Sequence, residues 1–307
     1  MENSVFDLII VGGGPAGLTA GLYARRSRLK TVLIEKLMPG GQVLTTDWVD
    51  NYPGFPEGVS GFDLIEKMRL QVERFELPIV NDEMVSLSLD GPEKILKTVQ
   101  GTYRSKTLII ASGASHRKLG VPGEAWLSGK GVSYCATCDG PFFRDQEIAV
   151  VGGGDTAVQE ALYLTRFAKK VYLIHRRDQL RAVKILQEKA LSHPSIVPVW
   201  NSLVESIEGT EEVNGIRLKK TDGSPGQTLS LQGVFILIGT LPNTEWLTSL
   251  VTLDDQGFVI TDEQMATNIK GIFAAGDVRQ KILRQISTAV GDGATAVFAA
   301  ERYLEAL

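Results

Sequence analysis

Cysteine and histidine, the usual ligands of structural zinc, are scarce in this sequence. Its 307 residues include two cysteines, Cys135 and Cys138, and three histidines, His116, His175 and His193. A tetrahedral zinc site needs four ligands, which usually come from two closely spaced pairs. The sequence has no second cysteine pair and its histidines form no HxxxH pair. We therefore expect no metal site.

Long hydrophobic runs and an excess of positive charge are also missing. The longest apolar runs, Leu8–Val11 and Val234–Ile238, are too short to span a bilayer. The N-terminal segment is acidic where a secretory signal peptide would be basic. The net charge is −4, and no basic block of the kind that binds nucleic acid is present. We therefore expect a cytoplasmic protein with neither a membrane nor a nucleic-acid partner.

Glycine, in contrast, is abundant, with 32 residues, so the chain must contain many tight turns or close approaches of its backbone to ligands. Residues Gly12–Gly17 read Gly-Gly-Gly-Pro-Ala-Gly. They lie between a predicted buried strand, Phe6–Val11, and a predicted helix, Leu18–Arg25. A strand, a GxGxxG turn and a helix form a dinucleotide-binding fingerprint, with the pyrophosphate at the helix N-terminus.

The same plan occurs a second time. Glu147–Val151 is a predicted strand, Gly152–Ala157 is a GxGxxA turn, Val158–Phe167 is a predicted helix and Lys170–Ile174 is the next strand. This second unit aligns with the first without a gap, at a constant offset of 140 residues. The sequence therefore predicts two dinucleotide sites in one chain.

The two units differ where their second strands end. The first, Thr31–Ile34, is followed by Glu35, an acid at the spacing expected for binding adenosine ribose hydroxyls. At the equivalent place the second unit reads His175-Arg176-Arg177, with Arg181 one turn later. A carboxylate repels a 2′-phosphate, whereas arginine side chains bind one well. The second site is therefore predicted to bind NADPH.

Further elements are predicted outside the two fingerprints. They are a helix at Phe62–Phe75, antiparallel strands in Ile79–Thr102 with a turn at Asp90-Gly91, a buried strand at Thr107–Gly113, antiparallel strands in Ile196–Leu231 with turns at Asn214-Gly215 and Asp222-Gly223, buried strands at Val234–Gly239 and Gly271–Val278, and a helix at Ile286–Tyr303. Small residues end the buried strands, as expected where a backbone passes close to a cofactor. Asp277 is placed to bind a cofactor polyol.

The two cysteines lie two residues apart and are followed directly by Asp139. Thiols at this spacing can close a small disulfide ring, and the geometry typically lowers one thiol pKa. Asp139 could exchange a proton with a departing thiolate. Two buried structural thiols are the alternative interpretation. In a reducing compartment, however, a CxxC pair is more often catalytic than structural.

Together these motifs resemble the low-molecular-weight, bacterial-type thioredoxin reductases over nearly the whole chain. The resemblance rests on Gly12–Gly17 with Glu35, Gly40-Gly41-Gln42, Asn51-Tyr52-Pro53-Gly54, Cys135–Gly140, Gly152–Ala157 with His175-Arg176-Arg177, and Ala274–Val278 with Arg284-Gln285. It implies an α/β fold with two Rossmann-like dinucleotide-binding domains. An NADPH domain (residues 116–245) that carries the CxxC pair would be inserted into a FAD domain (residues 1–115 and 246–307). A homodimer is also implied.

The resemblance also implies roles for individual residues. Cys138 would face the flavin, Cys135 would attack the protein substrate and Asp139 would donate a proton. The residues expected to bind FAD are Gly12, Gly14, Pro15, Ala16, Gly17, Glu35, Gly40, Gly41, Gln42, Asn51, Ala111, Gly113, Gly276, Asp277, Arg284, Gln285 and Ile286. Those expected to bind NADPH are Gly152, Gly154, Asp155, Thr156, His175, Arg176, Arg177 and Arg181.

The implied reaction passes electrons from NADPH through FAD and the disulfide to oxidised thioredoxin. Nicotinamide and the disulfide would have to approach the flavin in turn, so we expect the inserted domain to rotate about crossings near residues 114–117 and 240–245. Three alternatives stay open: ferredoxin or another electron donor, another disulfide substrate, and a non-catalytic flavoprotein that uses the CxxC pair as a switch.

Three positions depart from the family pattern. Thr240 stands where many members have histidine or another larger residue, and Thr156 and Gln159 replace the commoner Ser and Glu. None of them alters the cysteines or the arginine cluster, so the resemblance holds.

Overall fold

The computed structural model describes residues 5–46, 48–247 and 250–307. The chain divides into two compact units. The first comprises Met1–Ser115 and Leu241–Leu307, and the second, His116–Thr240, is inserted between these two segments. The chain thus returns to the first unit after residue 240, whereas the sequence places this boundary after residue 245.

The strands and helices alternate along much of the chain. They are β1 (Phe6–Val11), α1 (Pro15–Arg26), β2 (Thr31–Glu35), α2 (Gly61–Glu73), β3 (Ile79–Asn81), β4 (Met84–Asp90), β5 (Glu93–Thr98), β6 (Thr102–Ile110), β7 (Ala114–His116), β8 (Val132–Ser133), α3 (Ala136–Asp139), β9 (Glu147–Val151), α4 (Asp155–Leu164), β10 (Lys170–Ile174), α5 (Lys184–Leu191), β11 (Ile196–Val199), β12 (Ser202–Glu208), β13 (Gly215–Lys220), β14 (Gln227–Ser230), β15 (Gly233–Ile236), β16 (Thr240–Pro242), β17 (Ile272–Ala274) and α6 (Ile286–Glu305). Short 3₁₀ turns occur at Gly41–Thr45, Gly140–Phe143, Glu245–Leu247 and Gly276–Val278.

The first unit is built on a seven-stranded sheet in the order β3-β2-β1-β6-β5-β4, with β17 also paired to β6. Strands β1, β2, β3, β6 and β17 run parallel, while β4 and β5 are antiparallel. Consecutive residues of β1 such as Leu8, Ile9 and Ile10 are fully buried, because both faces of the central sheet are covered. Leu8 and Ile10 belong to one hydrophobic cluster, and Ile9, on the opposite face of the sheet, belongs to another.

The second unit has a five-stranded parallel sheet in the order β11-β10-β9-β15-β8, together with a three-stranded antiparallel sheet, β12-β13-β14. Two hydrophobic clusters lie within this unit. The first two strands of its parallel sheet repeat the pairing seen in the first unit. Val11 pairs with Ile34 in the first unit, and Val151 pairs with Ile174 at the same offset of 140 residues in the second. The predicted repeat is therefore present in the structure, and the predicted α/β class with two Rossmann-like units is confirmed.

Three local predictions are corrected by the structure. Strands β3 and β11, predicted as antiparallel, run parallel to β2 and β10 because each returns to its sheet after a helix. Helices α1 and α4 begin three residues earlier than predicted, at Pro15 and Asp155, since the glycine turn itself forms the N-cap. No tight turn forms at Asn214-Gly215, because β12 ends at Glu208 and six residues separate it from β13.

The two segments that connect the units pair with each other as the short sheet β7-β16. Within the first unit, Asn243, directly after β16, forms hydrogen bonds with Ser112 and Gly113, directly before β7. Its backbone N–H donates to the Gly113 carbonyl at 3.0 Å, its Nδ2 to the Ser112 carbonyl at 2.7 Å, and its carbonyl accepts from the Ser112 hydroxyl at 2.7 Å. These bonds join chain positions about 130 residues apart.

Candidate functional site

The first glycine turn leaves the N-terminus of α1 open. Gly14 is the N-cap, it supplies no side-chain cap, Pro15 occupies the first turn, and no acidic side chain lies there. A Cβ at Gly12 would collide with the Ala111 carbonyl, and one at Gly17 would collide with the Gly12 carbonyl. A Cβ at Gly14 would meet no atom within 4 Å. Gly12 and Gly17 are thus required by packing, whereas Gly14 leaves space beside the helix N-terminus, where an anionic group is stabilised.

Glu35 lies at the end of β2, directly beside this turn. Its Oε2 accepts a hydrogen bond from the Gly13 N–H at 2.6 Å, and its Oε1 accepts one from the Leu37 N–H at 2.9 Å. These bonds fix the carboxylate next to the glycine turn. The sequence does not indicate the hydrogen bond between Gly13 and Glu35, which joins the Glu35 carboxylate to the glycine turn.

The other predicted FAD residues come together within the first unit. Gly40 donates its N–H to the Gly13 carbonyl at 2.8 Å, Gly41 would place a Cβ 3.4 Å from the Gly14 Cα, and Gln42 Nε2 donates to the Ala114 carbonyl at 3.2 Å. Parallel strands end at the same edge of a sheet. The stretch 111–113 follows β6 and Gly276 follows β17, so both reach the edge at which β1 ends in the first turn.

Asn51 and Gln285 lie 234 residues apart and meet in the structure. Asn51 Nδ2 donates to Gln285 Oε1 at 2.9 Å. Gln285 is the N-cap of α6 and forms a capping box with Thr288, while Ile286 is the first residue of that helix. The contact brings a predicted site residue from the N-terminal segment to the start of the C-terminal helix.

Asp277 carries an unusual carboxyl group. Its Oδ1 is buried, and among the residues that the structure describes it finds no hydrogen-bond partner. Burial raises the pKa of Asp277, and the nearby Lys281 and Arg284 oppose the rise. Arg284 stacks on the Phe258 ring at 4.0 Å and donates to the Asp277 carbonyl at 3.3 Å. Asp277 therefore has acceptor capacity left for a polar ligand group.

No sequence pattern indicates the buried ion cluster next to the Asp277 turn. Asp292 on α6 accepts from the Gly276 N–H at 3.0 Å and from Lys281 Nζ at 2.7 Å, and it pairs with Arg279 at 3.0 Å. All three side chains are nearly buried. These contacts fix the turn that carries Asp277. Removing one of the three charged side chains would leave a buried charge without its partner.

The second glycine turn repeats the first with a different neighbour. Gly152 donates to the Ile174 carbonyl at 3.1 Å, as Gly12 does to the Ile34 carbonyl at 2.9 Å. Gly154 is the N-cap of α4, and Asp155 and Thr156 are its first residues. The His175 ring is buried against Gly153, where a Cβ would collide with it. Histidine thus supports this turn as Glu35 supports the first.

Burial lowers the pKa of His175, and the positive charges of Arg181, Arg176 and Arg177 lower it further. The imidazole is therefore neutral near pH 7. The three arginines are exposed. The Arg181 backbone N–H donates to the Gly153 carbonyl at 2.6 Å, which holds that residue beside the turn. A neutral ring next to the turn and three exposed arginines near it are suited to binding a phosphate.

Cys135 and Cys138 form a disulfide in the second unit, with their Cα atoms 5.4 Å apart. Cys135 is the N-cap of α3, and Cys138 and Asp139 lie within that helix. The buried Ser133 hydroxyl accepts from the Cys135 N–H at 3.1 Å, and the Asp139 N–H donates to the Cys135 carbonyl at 3.1 Å. The pair is therefore held in a single ordered turn.

Known proteins share this arrangement over the full length of the chain. Residues 6–293 match the family described as pyridine nucleotide-disulphide oxidoreductase. A thioredoxin reductase from Peptoclostridium acidaminophilum is 48% identical, with 100% of this chain and 99% of that protein aligned. One from Listeria monocytogenes is also 48% identical, with 100% and 96% aligned. The chain belongs to the thioredoxin reductases of this family.

A solved structure agrees with this membership. The crystal structure of thioredoxin reductase from Streptococcus pyogenes matches with a TM-score of 0.96 and 47% identity, over 100% of both chains. The resemblance predicted from the motifs is confirmed, and so is the enzyme class, a disulfide oxidoreductase.

Neither a membrane-crossing helix nor a metal-binding cluster is found in the part of the chain that the structure describes. Within residues 5–46, 48–247 and 250–307, no helix combines the length and apolar character of a membrane-crossing segment. The same residues contain no group of three or more His, Cys, Asp or Glu side chains placed to hold a metal ion.

Proposed function

We propose that this protein is a FAD-dependent reductase that uses NADPH to reduce the disulfide of thioredoxin. The observation that carries the proposal is the Cys135–Cys138 disulfide in the same unit as the arginine-flanked glycine turn. The relatives named thioredoxin reductase, which align over the whole chain, support it. A cytoplasmic location is part of the proposal, since such a reductase acts where protein thiols are kept reduced.

The first unit has the features that FAD requires. We assign its pyrophosphate to the N-terminus of α1 at Gly12–Gly17 and its adenosine ribose to Glu35. The buried Asp277 carboxyl is assigned to a hydroxyl of the polyol chain, which would satisfy the Oδ1 atom that lacks a partner in the described residues. FAD would supply the two-electron relay between the pyridine nucleotide and the disulfide.

The second unit has the features that NADPH requires. We assign its pyrophosphate to the N-terminus of α4 at Gly152–Ala157. Its 2′-phosphate is assigned to the exposed guanidinium groups of Arg176, Arg177 and Arg181. The position that carries a carboxylate in the first unit is a buried, neutral histidine here, so the carboxylate that would repel a 2′-phosphate is replaced.

The cysteines and Asp139 carry out the thiol exchange with the partner protein. In the reduced pair, the Cys135 thiolate attacks one sulfur of the partner disulfide, and the other partner sulfur leaves as a thiolate that takes a proton. Cys138 then attacks the Cys135 sulfur and releases the partner as a dithiol. Asp139, next to Cys138, is placed to give or take the protons of these steps. The disulfide forms again as two electrons pass to the partner.

The inserted unit carries both the disulfide and the proposed NADPH site, and both must exchange electrons with the same cofactor. We therefore propose that this unit rotates about the two connecting segments, β7 and β16. The hydrogen bonds between Asn243 and Ser112 join the two segments to each other within the first unit.

We also propose a homodimer formed through the first unit. Two aromatic side chains on neighbouring helices, Tyr23 on α1 and Phe298 on α6, are 46% and 56% exposed. They line one surface depression together with Ala294 and Thr295. A second copy of the chain would cover this apolar face. A Phe298→Glu variant should elute as a monomer in size-exclusion chromatography while it keeps its flavin; an unchanged dimer would exclude this face.

Steady-state turnover of the purified protein tests the proposed function. NADPH oxidation should require thioredoxin, and NADH should support it poorly. Cys135→Ser and Cys138→Ser should each abolish thioredoxin reduction, while the variants keep the flavin spectrum of the unsubstituted protein. Reduction of the flavin by ferredoxin but not by NADPH, or turnover only with another disulfide, would contradict the proposal. So would a protein that cannot be loaded with FAD.

A further inference from the structure

Glu160 is a half-buried carboxyl group that the proposed reaction does not use. It lies on α4, the helix that begins at the second glycine turn. Its Oε2 accepts a hydrogen bond from the Ala136 N–H at 3.0 Å. Ala136 lies between the two cysteines and is fully buried. A carboxyl group on α4 is thus bonded directly to the backbone of the disulfide turn.

This hydrogen bond occupies a group that bears on thiol chemistry. The Ala136 N–H is the first backbone donor after Cys135. Backbone N–H groups at the start of a helix can stabilise a cysteine thiolate and lower its pKa. Here that donor is already bonded to Glu160. An ionised carboxyl group at this position also disfavours a second negative charge nearby.

Other polar groups surround the same turn. The Thr137 hydroxyl lies 3.4 Å from the Cys135 sulfur, and the Ser133 hydroxyl accepts from the Cys135 N–H. Asp139 is the acidic residue within α3. Burial raises the pKa of Glu160, and the bond from the Ala136 N–H opposes the rise. A carboxyl oxygen accepts that bond in both protonation states, so Glu160 holds the turn over a wide pH range.

We propose that Glu160 is a positioning residue that keeps the Cys135–Cys138 pair reducing, because it withholds the Ala136 N–H from the Cys135 sulfur and so disfavours the thiolate. A dithiol whose thiolate is stabilised makes its disulfide a stronger oxidant, so a reductase benefits from the opposite arrangement. The physiological meaning of this inference depends on the proposed function, but its chemistry does not.

The thiol pKa of the reduced pair tests the inference without NADPH or thioredoxin. Dithiothreitol reduces the full-length, FAD-loaded protein: its two thiols become a cyclic disulfide, and the cysteine pair takes up two electrons and two protons. The rate of alkylation of Cys135 by iodoacetamide, followed by peptide mass spectrometry from pH 6 to 10, then gives its pKa. Glu160→Gln removes the charge but keeps an acceptor for the Ala136 N–H, whereas Glu160→Ala removes both.

Glu160→Ala should lower the Cys135 pKa by about one unit, a tenfold change in the ionisation constant. Glu160→Gln, which still accepts from the Ala136 N–H, should lower it by less. In dithiothreitol redox buffers above that pKa, the equilibrium should shift toward the dithiol by up to about tenfold, which corresponds to about 30 mV. The same pKa and the same redox equilibrium in both variants as in the unsubstituted protein would overturn the inference. Loss of NADPH turnover alone would bear on the proposed function instead.

A matched control removes a carboxylate elsewhere in the second unit. Glu188→Gln changes an exposed residue on α5 and should leave both the pKa and the equilibrium unchanged. If the Glu160 variants do not fold, hydrogen exchange in the unsubstituted protein decides. The Ala136 amide should exchange slowly in both the oxidised and the reduced protein, and fast exchange in both states would exclude the bond to Glu160.

Discussion

At the scale of single residues, the arginines after β10 are proposed to select NADPH over NADH. Arg177→Ala removes one charge-assisted bond to the proposed 2′-phosphate, which is worth about 1.5 to 3 kcal/mol. We expect KM for NADPH to rise at least tenfold, while KM for NADH stays the same. Steady-state kinetics with both nucleotides measure this. Lys169→Ala removes an exposed cation from the same unit and should change neither value; an equal rise for both nucleotides would exclude a phosphate contact.

The proposed role of Asp277 in FAD binding conflicts with the stability of the folded chain. Its buried carboxyl group has an Oδ1 without a partner in the described residues, and such an atom costs about 1 to 3 kcal/mol. Asp277→Asn should therefore raise the free energy of unfolding of the FAD-free protein by about 1 kcal/mol at pH 7.5 and weaken FAD retention. Urea unfolding and flavin release by ultrafiltration measure the two effects. Asp255→Asn, an exposed control, should alter neither.

The pH dependence of this effect has a definite sign. Burial raises the pKa of Asp277 in the folded chain above its unfolded value. The folded state therefore binds the proton more tightly, and the stability contributed by Asp277 is greatest below the unfolded pKa and is lost as the pH rises through the folded pKa. The advantage of Asp277→Asn should thus shrink between pH 7.5 and pH 4. An advantage that grows on acidification would contradict this assignment.

At the scale of elements, the strand-turn-helix unit contains glycines that packing requires and one, Gly14, that we propose is needed only for binding. Gly14 has a negative φ of −72° and open space around its missing Cβ, so Gly14→Ala should leave the FAD-free protein as stable as before but weaken FAD binding. Gly17→Ala would collide with the Gly12 carbonyl and should cost about 1 to 3 kcal/mol.

Thermal unfolding with and without FAD separates these two classes. Gly101→Ala is the matched control, because its site also has open space but lies in the turn before β6. It should change neither the melting temperature of the FAD-free protein nor the increment on adding FAD. An unchanged FAD increment in Gly14→Ala would place the pyrophosphate elsewhere.

At the scale of the whole molecule, the proposed reaction requires motion between the two units. A cleavable cross-link between one lysine of each unit should abolish NADPH-dependent thioredoxin reduction, because the rotation would be blocked. Turnover should return when the linker is cleaved, and cross-links within one unit should have little effect. Peptide mapping identifies the linked lysines. Full activity with an intact link between the units would contradict the rotation.

Sequence patterns predicted the site best where its chemistry is local. A glycine turn between a strand and a helix is a contiguous signal, and the offset of 140 residues revealed its repetition. The direction of β3 and β11 was predicted wrongly, because a short alternating segment does not show which neighbour it pairs with. The helix starts were predicted late, because the turn residues were excluded from the helices.

By itself, the sequence determined the two glycine turns, the acid that follows one, the arginines that follow the other, and the closely spaced cysteines, because each depends on neighbouring residues. The tertiary structure alone decided that Asn51 meets Gln285, that Asp292 fixes the Asp277 turn and that Glu160 holds the disulfide turn. These contacts join residues between 16 and 234 positions apart, and they form only when distant elements pack against one another. No local pattern records that packing.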